Sequence, residues 1–311
     1  KEITVKEIGK NIEEDMIEEK ENKIQNKDID SKTAEIEEEN QLSDYEIDSI
    51  EEVKEIIEKN KFSFKKNFGQ NFLVDSNIID NIIKAADIDK DDFILEIGPG
   101  IGSLTQALAE NAKKVAAVEI DRNLIPILEE TVGGYENVEI INKDILKLDI
   151  NALVCEKNGG MPIKVVANLP YYITTPIIME ILEKNVNAKS ITVMVQKEVA
   201  LKMTGIYKNP LLLMIKDMGT IEYLFTVNKN VFMPAPHVDS AILKIELKKA
   251  PDLKLYEVLN ICFKQRRKTI LNNLKQSYEE AEEILLQTGI ENRKRSEELE
   301  LADFKNITKM I

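Results

Sequence analysis

Four consecutive residues, Asn168-Leu169-Pro170-Tyr171, bring together a carboxamide, a backbone carbonyl, a ring without an N–H and an aromatic face. They close the apolar run Ile163-Lys164-Val165-Val166-Ala167, which reads as a buried strand. This set suits a planar aromatic amine, whose lone pair is delocalised into its ring and is a poor nucleophile. Two acceptors, the Asn168 side-chain oxygen and the Leu169 carbonyl, would take both N–H groups and favour a pyramidal, more nucleophilic nitrogen. Pro170 brings no competing donor and stiffens the turn, and Tyr171 offers a face for stacking a base. Alkylation of such an amine needs no strong general base, because the product sheds its proton afterwards. Alignment and preorganised dipoles would carry the rate. The competing reading is an ordinary strand-to-loop turn.

Three further positions could hold a cosubstrate. Gly98-Pro99-Gly100-Ile101-Gly102 lies between a strand, Phe93–Ile97, and a helix running from Ser103 to about Asn111. A glycine turn there lets backbone approach a ligand at a helix N-terminus, although the spacing is not the G-x-G-x-x-G of dinucleotide enzymes. Glu119 follows Gly98 by 21 residues and ends the next strand, Val115–Val118. A carboxylate there accepts both hydroxyls of a ribose, which fits NAD and S-adenosylmethionine equally; a purely structural Glu is the alternative. Asp144 follows the strand Val138–Ile141 and could accept from an adenine amine, with Ile145 against the ring, or simply cap a helix. The amine-gripping turn at Asn168 breaks this tie in favour of S-adenosylmethionine. Phe232, ahead of Pro234 and Pro236, reads as a second aromatic wall or as core packing at a loop base. Arg266-Arg267-Lys268 reads as a phosphate contact or as a solvated helix face. His237 has no partner in sequence and reads as a surface loop residue.

These residues need a scaffold. Ser49-x-x-Glu52 is a capping box opening a helix with Ile50, Val53, Ile56 and Ile57 on one face, ending near Asn60. Lys61 to Leu73 then interleaves Phe62, Phe64 and Phe68 with lysines, suiting either base stacking or a loop folded onto the core. A helix with Ile78, Ile79, Ile82, Ile83 and Ala86 inward follows. Strands at 93–97, 115–118, 138–141, 163–167 and 190–195, alternating with helices, predict a doubly wound parallel sheet. Ile221–Val227 and Ala241–Leu247 are close enough in sequence to form an antiparallel pair. After Pro251 only helical periodicity remains, through Leu255, Val258, Leu259, Cys262, Ile270, Leu274, Ile284, Leu285, Ile290, Leu301, Phe304 and Ile307. The expected organisation is an acidic, disordered extension over 1–45, an α/β domain over 46–250 and a helical domain over 251–311.

Bulk properties narrow the classes. The chain has 311 residues, 43% hydrophobic and 32% charged, with a net charge of −14. Residues 1–45 hold 7 lysines against 15 acidic residues, a net of −8, which leaves −6 for the rest. Any nucleic-acid surface must therefore be local. Cys155 and Cys262 stand apart with one histidine, so neither a disulfide framework nor a Cys/His metal site is expected. No apolar run approaches the roughly 20 residues that span a bilayer, no leader pattern is evident, and the first residue is Lys1 rather than Met. A cytoplasmic protein without a membrane partner is the expectation.

Phe68-Gly69-Gln70-Asn71-Phe72-Leu73, Glu96-Ile97-Gly98-Pro99-Gly100-Ile101-Gly102, Glu119-Ile120-Asp121, Asn168-Leu169-Pro170-Tyr171 and Val238-Asp239-Ser240 occur in this order and spacing. From about Ile47 to Phe304 the chain resembles the rRNA adenine N6,N6-dimethyltransferases, most closely the bacterial small-subunit (16S) group. The resemblance implies a Rossmann-like class I S-adenosylmethionine-dependent methyltransferase sheet with a small all-helical C-terminal domain. It implies S-adenosylmethionine held by Asn71, Leu73, Gly98, Gly100, Glu119, Asp144, Ile145 and Asn168. Asn168, Leu169, Pro170 and Tyr171 would grip the target base, with Phe232 opposite and Arg266 and Arg267 on RNA. The implied substrate is two adjacent adenosines in a hairpin loop near the 3′ end of 16S rRNA, in a 30S precursor, taken by a monomer with no role for DNA. The alternatives are a 23S rRNA adenine methyltransferase of the macrolide-resistance type and a non-catalytic RNA-binding assembly factor. Two departures from the family pattern are the acidic extension and a short segment between Ala200 and Ile221, which lacks the usual Tyr-Gly and Gln-Tyr pairs near the base entrance.

Overall fold

The computed structural model describes residue 47 and residues 49–65, 69–170, 173–205 and 208–311. The expected acidic extension, Phe68 and Tyr171 lie outside the described residues. The strands are β1 (Phe72–Leu73), β2 (Phe93–Ile97), β3 (Lys114–Glu119), β4 (Val138–Asn142), β5 (Ile163–Asn168), β6 (Ala188–Gln196), β7 (Gly219–Val227), β8 (Phe232–Met233) and β9 (Ser240–Leu247). Seven of them form one sheet in the order β4-β3-β2-β5-β6-β9-β7. β4 to β6 in that order are parallel, and β9 runs antiparallel to both β6 and β7. The doubly wound sheet and the antiparallel final pair are therefore as the sequence pattern predicts.

Alternation explains how the central strands β2 and β5 are buried on both faces. Phe93, Leu95 and Ile97 of β2, with Ile163, Val165 and Ala167 of β5, join one apolar cluster. Ile94 and Val166, pointing the other way, join a second with Leu104 and Leu108 of the helix Ser103–Asn111. β2 and β5 are buried almost throughout, so polar side chains on these strands need partners or a purpose. Lys164 of β5 has its partner, donating to Asp92 Oδ2 at 2.6 Å. Glu96 of β2 is the other case and belongs to the site described below.

The first helix, Ile50–Lys59, carries the expected capping box: Glu52 N donates to Ser49 Oγ at 3.3 Å and Ser49 N to Glu52 Oε2 at 3.0 Å. Its buried Val53 and Ile56 pack with Ile47, Phe72, Ile101 and Leu124, and Phe62 and Phe64 close over them. The Phe62, Phe64 and Phe72 rings lie 5.4–5.9 Å apart. Of the two readings of this phenylalanine-rich stretch, the inward one holds for Phe62 and Phe64. Phe72 and Leu73 then pair antiparallel with Met233 and Phe232. So short a ladder has no periodicity to detect in sequence.

The segment that departs from the family pattern folds as two helices, Lys197–Thr204 and Pro210–Met218. The second supplies Leu213 to a separate apolar cluster built by the C-terminal helices Leu253–Phe263, Ile270–Leu274, Ala281–Thr288 and Leu301–Met310. Val258, Leu259, Cys262, Leu274, Leu285, Phe304 and Ile307 are sealed from solvent there. The C-terminal helices thus have their own core but share it with Leu213. Charge adds a second tie, since buried Asp217 accepts from Lys249 Nζ at 2.7 Å and also pairs with Lys305. Contacts across the residues from Ser43 to Ile311 make one compact unit. Among the described residues no helix is long and apolar enough to cross a membrane.

Candidate active site

Strand register brings the chemistry together. Ile97 pairs with Val118 on one side and Ala167 on the other, so the next residues, Gly98, Glu119 and Asn168, leave the sheet side by side. Glu119 in turn pairs with Asn142, two residues before Asp144. The chain order changes direction at β2, with β3 to one side and β5 to the other. A cleft opens outside the carboxyl ends of strands at such a switch point. Gly98, Gly100, Glu119, Asp144, Ile145, Asn168, Leu169 and Pro170 all line this cavity, and Asn71, Leu73 and Phe232 close it from the β1–β8 ladder.

The glycine turn is required by backbone shape. Gly98, Gly100 and Gly102 have φ of 74°, 64° and 98°, in a region that L side chains adopt at a cost. A Cβ at Gly100 would lie 3.0 Å from the Phe72 ring, and one at Gly102 would lie 2.8 Å from Thr131 Oγ1. The helix Ser103–Asn111 begins after Gly102 without a side-chain cap, and Ser103 and Leu104 line the cavity. Gly100 N donates to Glu119 Oε2 at 3.3 Å, and Asp121 N donates to Glu119 Oε1 at 2.7 Å.

Two carboxyl groups share this enclosure. Glu119 is 4% exposed, and burial raises its pKa to about 7, against the pull of the Asp121 and Gly100 amides. Glu96 is 1% exposed, and burial pushes it up to about 8, reinforced by the charge of Glu119 and opposed by the Thr105 hydroxyl. Glu96 Oε2 is buried with no hydrogen-bond partner among the described residues. An orphaned acceptor in a cavity wall is costly unless something fills the cavity.

Asp144 is a cap at the cavity edge. Its Oδ1 accepts from Leu146 N at 3.1 Å, capping the 3-10 turn Ile145–Lys147, and the residue still faces the cavity. Asn168 ends β5 and is half-buried at the cavity wall, and the Pro170 carbonyl accepts from Ile173 N at 3.1 Å. Phe232 likewise does two things: it is 4% exposed within the core cluster and also lines the cavity. Arg266 and Arg267 lie elsewhere, exposed on the turn after the helix Leu253–Phe263. Arg266 is held by Glu297, at 2.6 and 2.8 Å. His237 is exposed. Gln70, Glu96, Ser103, Ile120 and Lys143 also line the cavity, beyond the site residues that the sequence pattern picks out. A signal existed for Glu96, a carboxylate in an otherwise wholly apolar buried strand. Ile120 is 47% exposed directly after Glu119, a further signal for a ligand face.

These residues fit a nucleoside carrying an amino-acid tail. Glu119 suits ribose hydroxyls, Asp144 with Ile120 and Ile145 suits an adenine, and Glu96 with the uncapped start of the helix Ser103–Asn111 suits a zwitterionic end. Solved structures agree with the architecture. A 23S rRNA methyltransferase, ErmE, superposes with a TM-score of 0.60 at 28% identity, over 77% of this chain and 98% of that one. A dimethyladenosine transferase from Plasmodium falciparum gives 0.63 at 28% identity, over 76% and 95%. Sheet order, glycine turn and strand-end carboxylates define a class I S-adenosylmethionine-dependent methyltransferase fold.

The model of the ribosomal RNA adenine dimethylase family matches residues 61–311, and the chain belongs to that family. Similar curated proteins include the ribosomal RNA small subunit methyltransferase A of Alkaliphilus metalliredigens, 43% identical over 85% of this chain and 97% of that protein. The protein of the same name from Lachnoclostridium phytofermentans is 47% identical over 83% and 94%.

Proposed function

We propose that the chain transfers methyl groups from S-adenosylmethionine to N6 of two adjacent adenosines in a hairpin loop near the 3′ end of 16S rRNA. It does so on a 30S precursor in the cytoplasm, as a monomer. One observation carries the reading: Asn168 and Leu169 share a single cavity with Glu119, Asp144 and the glycine turn. The relatives named for the small subunit, at 43–47% identity, favour this RNA over 23S rRNA.

In this reading Glu119 holds the ribose, Asp144 and Ile145 hold the adenine, and Asn71, Leu73, Gly98 and Gly100 complete the wall. The bound cofactor supplies an electrophilic methyl group on a sulfonium. Asn168 and the Leu169 carbonyl accept the two N–H groups of the target amine and aim its lone pair at that methyl group. Pro170 keeps the turn rigid, and Tyr171 and Phe232 flank the base. Buried walls exclude water, so each fixed dipole acts at low dielectric. Residues 46–250 do the chemistry, and residues 251–311, through Arg266 and Arg267, add phosphate contacts.

The test is mass spectrometry of 16S rRNA 3′ fragments after incubation of 30S precursors with the protein and S-adenosylmethionine, alongside protein-free 23S RNA. Dimethyladenosine at two adjacent 16S positions is the expected result. Methyl groups found only in 23S RNA would make it the macrolide-resistance type. Transfer to neither, with cofactor bound, would make it an assembly factor without catalysis.

A further inference from the structure

The wall of the cavity formed by Gly69–Leu73 is held at two ends. At its far end Leu73 pairs with Phe232 across the β1–β8 ladder. At its near end the wall is fastened through Gln70 to the Asp121 side chain, which does not itself line the cavity. Asp121 Oδ2 accepts from Gln70 Nε2 at 2.9 Å. Its Oδ1 accepts from Lys65 Nζ at 2.7 Å and from Asn123 N at 3.1 Å. Gln70 is gripped on its other side too, since Lys65 N donates to Gln70 Oε1 at 3.0 Å. Asp121 is 2% exposed. Burial works against its charge, but Lys65, the Asn123 amide and Gln70 outweigh it and hold the pKa below the usual carboxylate range. An ionised Asp121 can thus accept from all three donors at once.

The same residue is tied to the cofactor side of the cavity. Asp121 N donates to Glu119 Oε1 at 2.7 Å, two residues away. One short stretch therefore carries the ribose acceptor and the fastening of the opposite wall. Without Asp121 the wall keeps the bond from Lys65 N to Gln70, the ladder at Phe72 and Leu73, and a local turn, Gly69 at φ 56° with the Asn71 side chain donating to the Gly69 carbonyl at 3.0 Å. A wall fixed in advance spares a ligand the entropy of ordering it.

We infer that Asp121 is a positioning residue for cofactor affinity: through Gln70 and Lys65 it fixes the Gly69–Leu73 wall against the strand end that carries Glu119. This rests on the reading of the cavity as the S-adenosylmethionine site. Asp121 lies outside the cavity lining, so it governs how long cofactor and product stay bound and leaves the transfer step alone.

The pairing gives a direct test. In Asp121→Asn the new amide faces the Gln70 amide, donor against donor. Adding Gln70→Glu restores an acceptor at that contact. Binding of S-adenosylmethionine and S-adenosylhomocysteine is measured by calorimetry, and product release by stopped-flow displacement. Asp121→Asn is expected to weaken both ligands about tenfold, the loss expected when a charged hydrogen bond is broken, mostly through faster release. The KM for cofactor rises, while kcat at saturating cofactor and the KM for RNA stay within twofold. The double variant recovers most of the affinity, which a merely structural role would not produce. Unchanged cofactor binding in Asp121→Asn overturns the inference. So does a lower unfolding midpoint of the ligand-free variant with KM for RNA and cofactor moving together. A wild-type protein that binds neither ligand overturns the reading of the cavity itself, and this inference with it.

Discussion

Glu119 Oε2 accepts the Gly100 amide at 3.3 Å, joining two turns that leave neighbouring strands 19 residues apart. The carboxylate is therefore committed to shaping the cavity before any ligand arrives. Structural support and ligand recognition are not rival explanations for this residue, because one oxygen braces the glycine turn while the whole group faces the cavity. The same economy appears at Asp144, which caps a turn and lines the cavity, and at Phe232, which packs in the core and closes it.

Cofactor binding should weaken as pH falls, through Glu119. Its pKa in the ligand-free chain is raised to about 7 by burial, and only the ionised group accepts two hydroxyls. One pH unit below that value about a tenth of the groups are ionised, so affinity at pH 6 should be about tenfold below its plateau. Calorimetric titration between pH 5.5 and 8.5 reads this. Glu119→Gln should flatten the pH dependence and bind more weakly than wild type above pH 7.

Glu96 makes an opposite prediction about stability. Its folded pKa of about 8 lies above the ordinary 4.5. A raised carboxyl gives stability that is full below the unfolded value and lost as pH rises through the folded one. Glu96→Gln keeps the shape and removes the ionisation. Without cofactor, the variant should match wild type near pH 4.5 and unfold at a higher temperature above pH 8. A thermal melt at the two pH values checks this, and equal midpoints at high pH would refute it.

At Gly102 the prediction is steric. Its φ of 98° is strained for any other residue, and a Cβ there meets Thr131 Oγ1 at 2.8 Å and Val132 Cγ1 at 2.9 Å. Thr131 cannot yield easily, since its hydroxyl donates to the Ile101 carbonyl at 2.8 Å. Gly102→Ala should cost roughly 2–3 kcal/mol of stability, combining left-handed strain with overpacking, as read by urea unfolding.

What the sequence reveals depends on whether a residue acts through local spacing or distant contact. The parallel strands, the glycine turn, Glu119, Asp144 and Asn168 were legible because strand-end chemistry follows from local pattern. Gln70 and Asp121 were not, since their pairing spans 51 residues and depends on how the N-terminal segment crosses the cavity. Phe62 and Phe64 left two readings open because aromatic and basic residues alternate equally well in a binding strip and a folded loop. Only their packing on Val53, Ile56 and Phe72 distinguishes these. The helices at 197–218 were missed amid a local departure from the expected pattern.

Acid should loosen the attachment of the C-terminal helices. Asp217 is buried, yet pairing with Lys249 and Lys305 outweighs burial and holds its pKa below 3.8. A depressed carboxyl gives stability present above the unfolded value and lost as pH falls through the folded one. Wild type should therefore lose more stability than Asp217→Asn between pH 5 and pH 3. At pH 7 the variant should be less stable by on the order of 1 kcal/mol, because both lysines are partly exposed and can return to water. Equal acid sensitivity of the two proteins would show that the pair contributes nothing.

RNA affinity offers a last separation, between Arg267 and Arg266. Both are exposed on the turn after the helix Leu253–Phe263, but Arg266 is already engaged by Glu297 at 2.6 and 2.8 Å. A phosphate must compete with that carboxylate for Arg266. Removing one arginine that neutralises a phosphate should reduce the slope of log affinity against log salt by about one. Arg267→Ala should show this reduction on a 16S fragment and weaken binding, with kcat at saturating RNA retained. Glu297→Gln should strengthen binding by freeing Arg266, and Arg266→Ala should cancel that gain. If neither arginine changes the salt slope, the basic turn is solvated surface and the RNA is held by another face.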